Sequence, residues 1–116
     1  MDASYVIECV GWFTKMKSIP PMSQEEIEMN YRFFENYISF LQEKGLTTRE
    51  ILKKGEKAND DSQITFGDLT EEGFEFFKYG IIKWRIKVDR ARNVEKAIND
   101  FAFIEKKWQE FKKKRC

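Results

Sequence analysis

The sequence predicts an all-α fold, a single-domain antiparallel bundle of four main helices plus one short helix over residues 1–116. Three observations predict it. Apolar residues recur at alternating steps of three and four along several segments, which keeps them on one side of a helix. Helix-start signatures stand just ahead of those stripes. One long stretch only, residues 55–67, lacks a helical period.

The first helix is expected from about Ala3 to Lys17, with Val6, Val10 and Phe13 in its stripe and Ile7 and Trp12 widening it. Gly11 weakens it by roughly 1 kcal/mol relative to Ala. Ile19-Pro20-Pro21 ends it, because proline has no amide donor and drives its predecessor out of the helical region. Ser23-Gln24-Glu25-Glu26 then reads as a capping box. The helix behind it carries Ile27, Tyr31, Phe34, Ile38 and Leu41, and Gly45 stops it as a left-handed residue. Thr47-Thr48-Arg49-Glu50 is a second capping box, expected to open the short helix with Ile51 and Leu52 that Gly55 closes. Residues 55–67 form a loop that Ile64 and Phe66 pin to the core, with room for a brief extended stretch.

Either Asp68 or Thr70 caps the next helix, and its early acids suit the positive helix start. Its stripe is Phe74, Phe77, Ile81, Trp84 and Val88. Asn93 caps the last helix, whose stripe is Ala97, Phe101, Ile104, Trp108 and Phe111. Lys112-Lys113-Lys114-Arg115 places positive charge at its C-terminal end, where the helix dipole favours it. Short connections make neighbouring helices antiparallel.

Composition narrows the function. With 41% hydrophobic and 35% charged residues the chain is neither a disordered tail nor a membrane span, since no run of about 18 apolar residues occurs. There is no histidine, so there is no imidazole to act as a base near neutral pH or to ligate zinc. A Ser–His or Cys–His nucleophile pair is therefore impossible within the chain. Cys9 and Cys116 lie near opposite ends and read as free thiols. With no secretory signal visible after Met1-Asp2, a reducing cytoplasm is the expected setting. Phosphate-binding glycine loops are absent. Asn59-Asp60-Asp61-Ser62 lacks the ligand spacing of a calcium loop. No metal, no cofactor and no enzymatic activity are expected.

Charge and surplus apolar surface point instead to a partner. Residues 1–80 hold 9 Lys/Arg against 15 Asp/Glu, and residues 81–116 hold 12 against 5. Such polarity steers encounters. Phe33 and Phe40 lie some way round from the second helix's stripe, as Phe76, Tyr79, Ile82 and Ile86 do on the fourth. A helix apolar nearly all round is central or covered by a partner. Nucleic-acid binding is the alternative: Lys83, Arg85, Lys87, Arg90 and Arg92 interleave with Trp84 on one helix and could grip phosphates.

Three segments carry a resemblance. They are Asp68-Leu69-Thr70-Glu71-Glu72-Gly73-Phe74-Glu75-Phe76-Phe77-Lys78, then Lys83-Trp84 followed by Asp89-Arg90, then Phe103-Ile104-Glu105-Lys106-Lys107. Over about residues 31–111 the chain resembles small bacterial immunity proteins that accompany polymorphic toxins of the contact-dependent growth inhibition and Maf kinds. The resemblance implies a cytoplasmic antidote that binds a cognate toxin domain and occludes its active cleft. Toxins of such systems are often nucleases with basic clefts. Asp60, Asp61, Asp68, Glu71, Glu72 and Glu75, expected to crowd around the long loop and the following helix start, would then mimic a phosphate backbone. Phe33 and Phe40 would add apolar contact.

Overall fold

The computed structural model describes residues 2–14 and 23–115. Helices dominate, but the fold is not all-α, because a two-stranded antiparallel sheet is built into it. In chain order come β1 (Val6–Cys9), the single-turn α1 (Gly11–Thr14) and α2 (Gln24–Glu43). Next are β2 (Gln63–Thr65), a 3-10 turn (Phe66–Asp68), α3 (Glu71–Phe76) and a π segment (Phe77–Ile81). α4 (Ile82–Arg90), α5 (Val94–Ile98) and α6 (Phe101–Arg115) complete the chain.

The expected first helix is thus corrected to a strand followed by one helical turn. Val6 pairs with Thr65, Glu8 with Ile64 and Cys9 with Gln63, with an irregularity between Val6 and Glu8. Beyond the strand, Val10 N–H donates to Ser62 O at 2.9 Å and Gly11 N–H to Asp60 O at 2.9 Å. Tyr5, Val6, Ile7 and Val10 are aromatic or β-branched, so they lose side-chain freedom in a helix and suit a pleated surface. The helix end expected at Ile19-Pro20-Pro21 lies outside the described residues.

The expected short helix at residues 50–55 does not form either. Its amides find another acceptor: Gln42 Oε1 takes the N–H groups of Ile51 (2.6 Å) and Leu52 (3.1 Å). Gln42 Nε2 returns a bond to Leu52 O at 3.0 Å. Two turns earlier, Glu35 accepts from Ala58 N at 2.9 Å. Polar side chains of α2 therefore hold residues 51–58 as an irregular strap, and the backbone needs no helix to satisfy its donors.

α2 is the central element. Ser23 caps it, its hydroxyl accepting from Glu26 N at 3.1 Å, and Gly45 ends it at φ 71. It buries residues on two sides, Phe33, Tyr37 and Phe40 as well as Phe34, Ile38 and Leu41. Sheet residue Ile64, helix residues Phe76, Ile81 and Trp84, and α6 residues Ile104, Trp108 and Phe111 close around it. Phe33 meets Tyr37 and Trp84 edge-on, with centroids 5.3 and 5.2 Å away. Such pairs add about 1 kcal/mol each beyond their buried area.

The fourth expected helix runs from α3 to α4 but passes through the π segment, where Ile82 N–H bonds Phe77 O. The extra residue shifts the register and lets the adjacent pairs Phe76-Phe77 and Gly80-Ile81 all point inward. The last expected helix is two helices. Asn93 caps α5 as expected, accepting from Lys96 N at 3.1 Å. Asn99 then ends it, and the Asp100 carboxylate accepts from Phe103 N at 3.1 Å to start α6. That break leaves Phe101 exposed rather than in the core.

Candidate functional site

The five cations expected to form one phosphate-gripping stripe are separated. Arg85 turns inward and pairs with Glu8 of β1, both side chains being largely buried (19% and 10% exposed). The guanidinium lies 5.0 Å from the Phe33 ring centroid. Burial pushes the Glu8 carboxyl above its ordinary range, and the attraction of Arg85 only partly offsets this. Tyr37, fully buried beside the pair, has its phenol pushed well up by burial and then by the Glu8 charge. Its hydroxyl has no hydrogen-bond partner among the described residues.

Lys87 is engaged as well, with Asp100 Oδ2 at 3.1 Å and the Phe103 ring at 4.6 Å. Lys83 lies 4.0 Å from the Tyr79 ring centroid. Lys114 of α6 lies 5.0 Å from the same ring. Arg90 and Arg92 are exposed. Tyr79 and Lys114 were not among the expected site residues. The Tyr79–Lys83 spacing of one helical turn was the available signal for the first, and only the packing of α6 on the π segment brings the second.

The six acids do not gather either. Asp60 and Asp61 lie at the end of the sheet where β1 passes into α1, and Asp68, Glu71, Glu72 and Glu75 lie beyond the other end. Asp60 accepts from the Tyr31 hydroxyl at 2.8 Å. Glu75 pairs with Lys78 at 3.3 Å. Asp61 and Glu71 are exposed and Glu72 is half-buried.

Asp68 is buried and belongs to the scaffold. It pairs with Arg49 at 2.7 Å and accepts from Thr65 N at 2.9 Å. Burial raises its carboxyl pKa, but the bonds from Arg49 and Thr65 together outweigh that and hold it below the ordinary value of 3.8. Asp68→Ala should cost about 2 kcal/mol at neutral pH. A depressed folded pKa contributes stability above the unfolded value. The gap between variant and wild type should therefore close as pH falls below 3.8, measured by urea titration at several pH values.

Phe33 and Phe40, expected to reach a partner, are buried at 1% and 4% exposure, so their contacts are internal. α2 is central, with apolar neighbours on both sides. Large apolar side chains are exposed at Tyr5, Trp12 and Phe101 and, as a pair on one helix, at Ile82 and Ile86 of α4, each 44% exposed. They stand one turn apart, on the side opposite buried Trp84. Tyr79, Lys83 and Arg90 share or border that face by helical spacing.

A cleft of about 180 Å³ opens between α2 and α4, with Met29, Val88 and Val94 as apolar wall. Its polar lining mixes Glu26 and Asp89 with the already paired Arg85. No group of three or more His, Cys, Asp or Glu among the described residues is placed to hold a metal ion. No helix among them is long and apolar enough to cross a membrane.

Two of the three segments carrying the resemblance have clear structural tasks. Thr70 caps α3 by accepting from Gly73 N at 2.9 Å, and Leu69 bridges to Thr47. Gly73 packs on the Leu46 backbone. Trp84 Nε1 donates to Ala97 O at 2.9 Å. No family model, curated protein or solved structure matches the chain.

Proposed function

We propose that this chain works by contact, as an immunity-type inhibitor that binds a toxin domain in the cytoplasm of the producing cell and occludes its active cleft. The observation that carries the reading is the exposed isoleucine pair on α4. Two aliphatic side chains held in water one turn apart on a packed helix make a ready interface centre, and their cost is recovered when a partner covers them. The face is also pre-organised: the π segment and Trp84 fix α4 against the core, so little order is lost on binding. The likeness to immunity proteins supplies the class of partner. Inhibition by occlusion asks for no catalytic group, in keeping with a chain that has no histidine. The scattered acids speak against phosphate mimicry by that set, and α4 takes its place as the contact.

Ile82→Ser/Ile86→Ser should leave stability within about 0.5 kcal/mol per site, because exposed positions tolerate change. It should weaken toxin binding by about 3 kcal/mol, more than a hundredfold in Kd. The check is growth protection on co-expression with candidate toxin domains of the contact-dependent growth inhibition and Maf kinds, together with titration of the purified pair. Full protection by the double variant would sink this reading. Co-purifying RNA or DNA that dissociates steeply with salt would favour the nucleic-acid alternative.

A further inference from the structure

Accepting that α4 is the contact face, we infer that the patch it meets on the partner protein is apolar at its centre and acidic at its rim. Lys83, Arg90 and Lys114 surround the Ile82–Ile86 pair or flank it, and none has a carboxylate partner among the described residues. Of the neighbouring cations, Lys78 pairs with Glu75, Lys87 with Asp100 and Lys107 with Glu110. Lys83 and Lys114 share one ring at 4.0 and 5.0 Å, so their ammonium groups are at most the sum, 9.0 Å, apart. The Tyr79 hydroxyl donates to Glu110 at 3.3 Å, which anchors that ring. Arg90 stands two turns along α4 from Lys83, about 10 Å by helical rise. The face therefore presents a doubled cation at one end, Arg90 beside the exposed carboxylate Asp89 at the other, and aliphatic surface between.

That pattern selects among occupants. Bases stack on bare aromatic faces, but here Tyr79 lies under Lys83 and Lys114, and Phe103 under Lys87 and Lys107. The exposed apolar groups of α4 are the aliphatic Ile82 and Ile86, which do not stack on bases. A second copy fits poorly too. An antiparallel two-fold pairing centred between Ile82 and Ile86 brings Lys83 close to Lys83 of the second copy, and the carboxylate on that flank, Glu110, is already held by Lys107 and Tyr79. A protein surface with carboxylates spaced about a helical turn or two apart around an apolar spot satisfies both features.

The test uses two helical peptides with a leucine stripe, one flanked by glutamates and one by lysines, titrated into the isotopically labelled chain and followed by amide NMR shifts. The glutamate peptide should bind, shift Ile82, Lys83, Ile86 and Arg90, and weaken with salt. Lys83→Glu/Arg90→Glu/Lys114→Glu should weaken it about thirtyfold and capture the lysine peptide instead. A short DNA duplex and a single-stranded RNA run in parallel. The inference is overturned if the glutamate peptide does not bind, if it shifts another face, if either nucleic acid holds this face more tightly, or if charge reversal changes nothing. In the growth assay the two readings separate. If the isoleucine variant loses protection while the charge-reversed one keeps it, α4 is the contact and the acidic rim is wrong. If both keep it, the contact lies elsewhere.

Discussion

Gly73→Ala should destabilise the protein strongly, although alanine is the better helix former. A Cβ at this position would overlap the Leu46 carbonyl oxygen and stand 3.1 Å from its carbonyl carbon. That carbonyl cannot give way easily. It accepts from Thr70 N at 3.0 Å and from the Thr70 hydroxyl at 3.3 Å, and Thr70 itself caps α3. Moving it would break the junction between the end of α2 and the start of α3. Propensity alone favours alanine by about 1 kcal/mol. Overpacking against backbone reverses the sign, with an expected net loss of about 3 kcal/mol or more. For a domain of this size that lowers the melting temperature by some 10–20 °C. Differential scanning calorimetry checks it, and a variant melting at or above wild type would contradict the close contact.

Arg85→Met should be nearly as damaging, and its damage should depend on pH. The substitution keeps the length of the side chain but leaves the Glu8 carboxylate buried without its counter-charge, which costs about 3–5 kcal/mol. Glu8 already has its folded pKa above the ordinary 4.5, chiefly through burial. A carboxyl raised on folding binds a proton more readily in the folded state. Stability is therefore fullest below the unfolded value and lost as pH rises through the folded one. Removing Arg85 raises the folded pKa further and widens that window. The variant should thus be weakest near neutral pH and regain part of its stability on acidification, whereas Asp68→Ala approaches wild type only below pH 3.8. Adding Glu8→Gln to Arg85→Met should restore a large share at pH 7. Urea unfolding at pH 7 and pH 5 decides: a penalty equal at both pH values would mean that lost packing, not the stranded charge, is responsible.

Much of the helical framework was legible. The Ser23, Thr70 and Asn93 caps and the left-handed Gly45 are local features, written in residues a few positions apart. What was missed depends on partners distant in the chain. Val6–Cys9 pairs with Gln63–Thr65, and no local pattern announces that; the β-branched run at Val6-Ile7 hinted at it, but Val6, Val10 and Phe13 also fit helical spacing. The capping box at residues 47–50 was real as a pattern, yet Gln42 supplies the acceptor for Ile51 and Leu52. The expected seam from Ala97 to Phe111 hid the Asn99–Asp100 break: Ala97, Ile104, Trp108 and Phe111 are buried on either side of it, while Phe101 is turned out.

Site residues fared similarly. Counting charge identified α4 as basic but did not tell inward Arg85 from outward Lys83. Ile82 and Ile86 were visible as surplus apolar residues, while the burial of Phe33 and Phe40 follows from the central place of α2.

The position of β1 also bears on how the molecule is made. A ribosome releases Val6–Cys9 well before the strand's neighbours Gln63–Thr65 and the Arg85 counter-ion. Helix α2 can therefore be complete while β1 still has nothing to pair with. Sheet closure is a late event in biogenesis, since long-range pairing must bear its loop-closure entropy first. Until then Glu8 stays in water, and the nascent chain carries an open strand edge that invites pairing with neighbours.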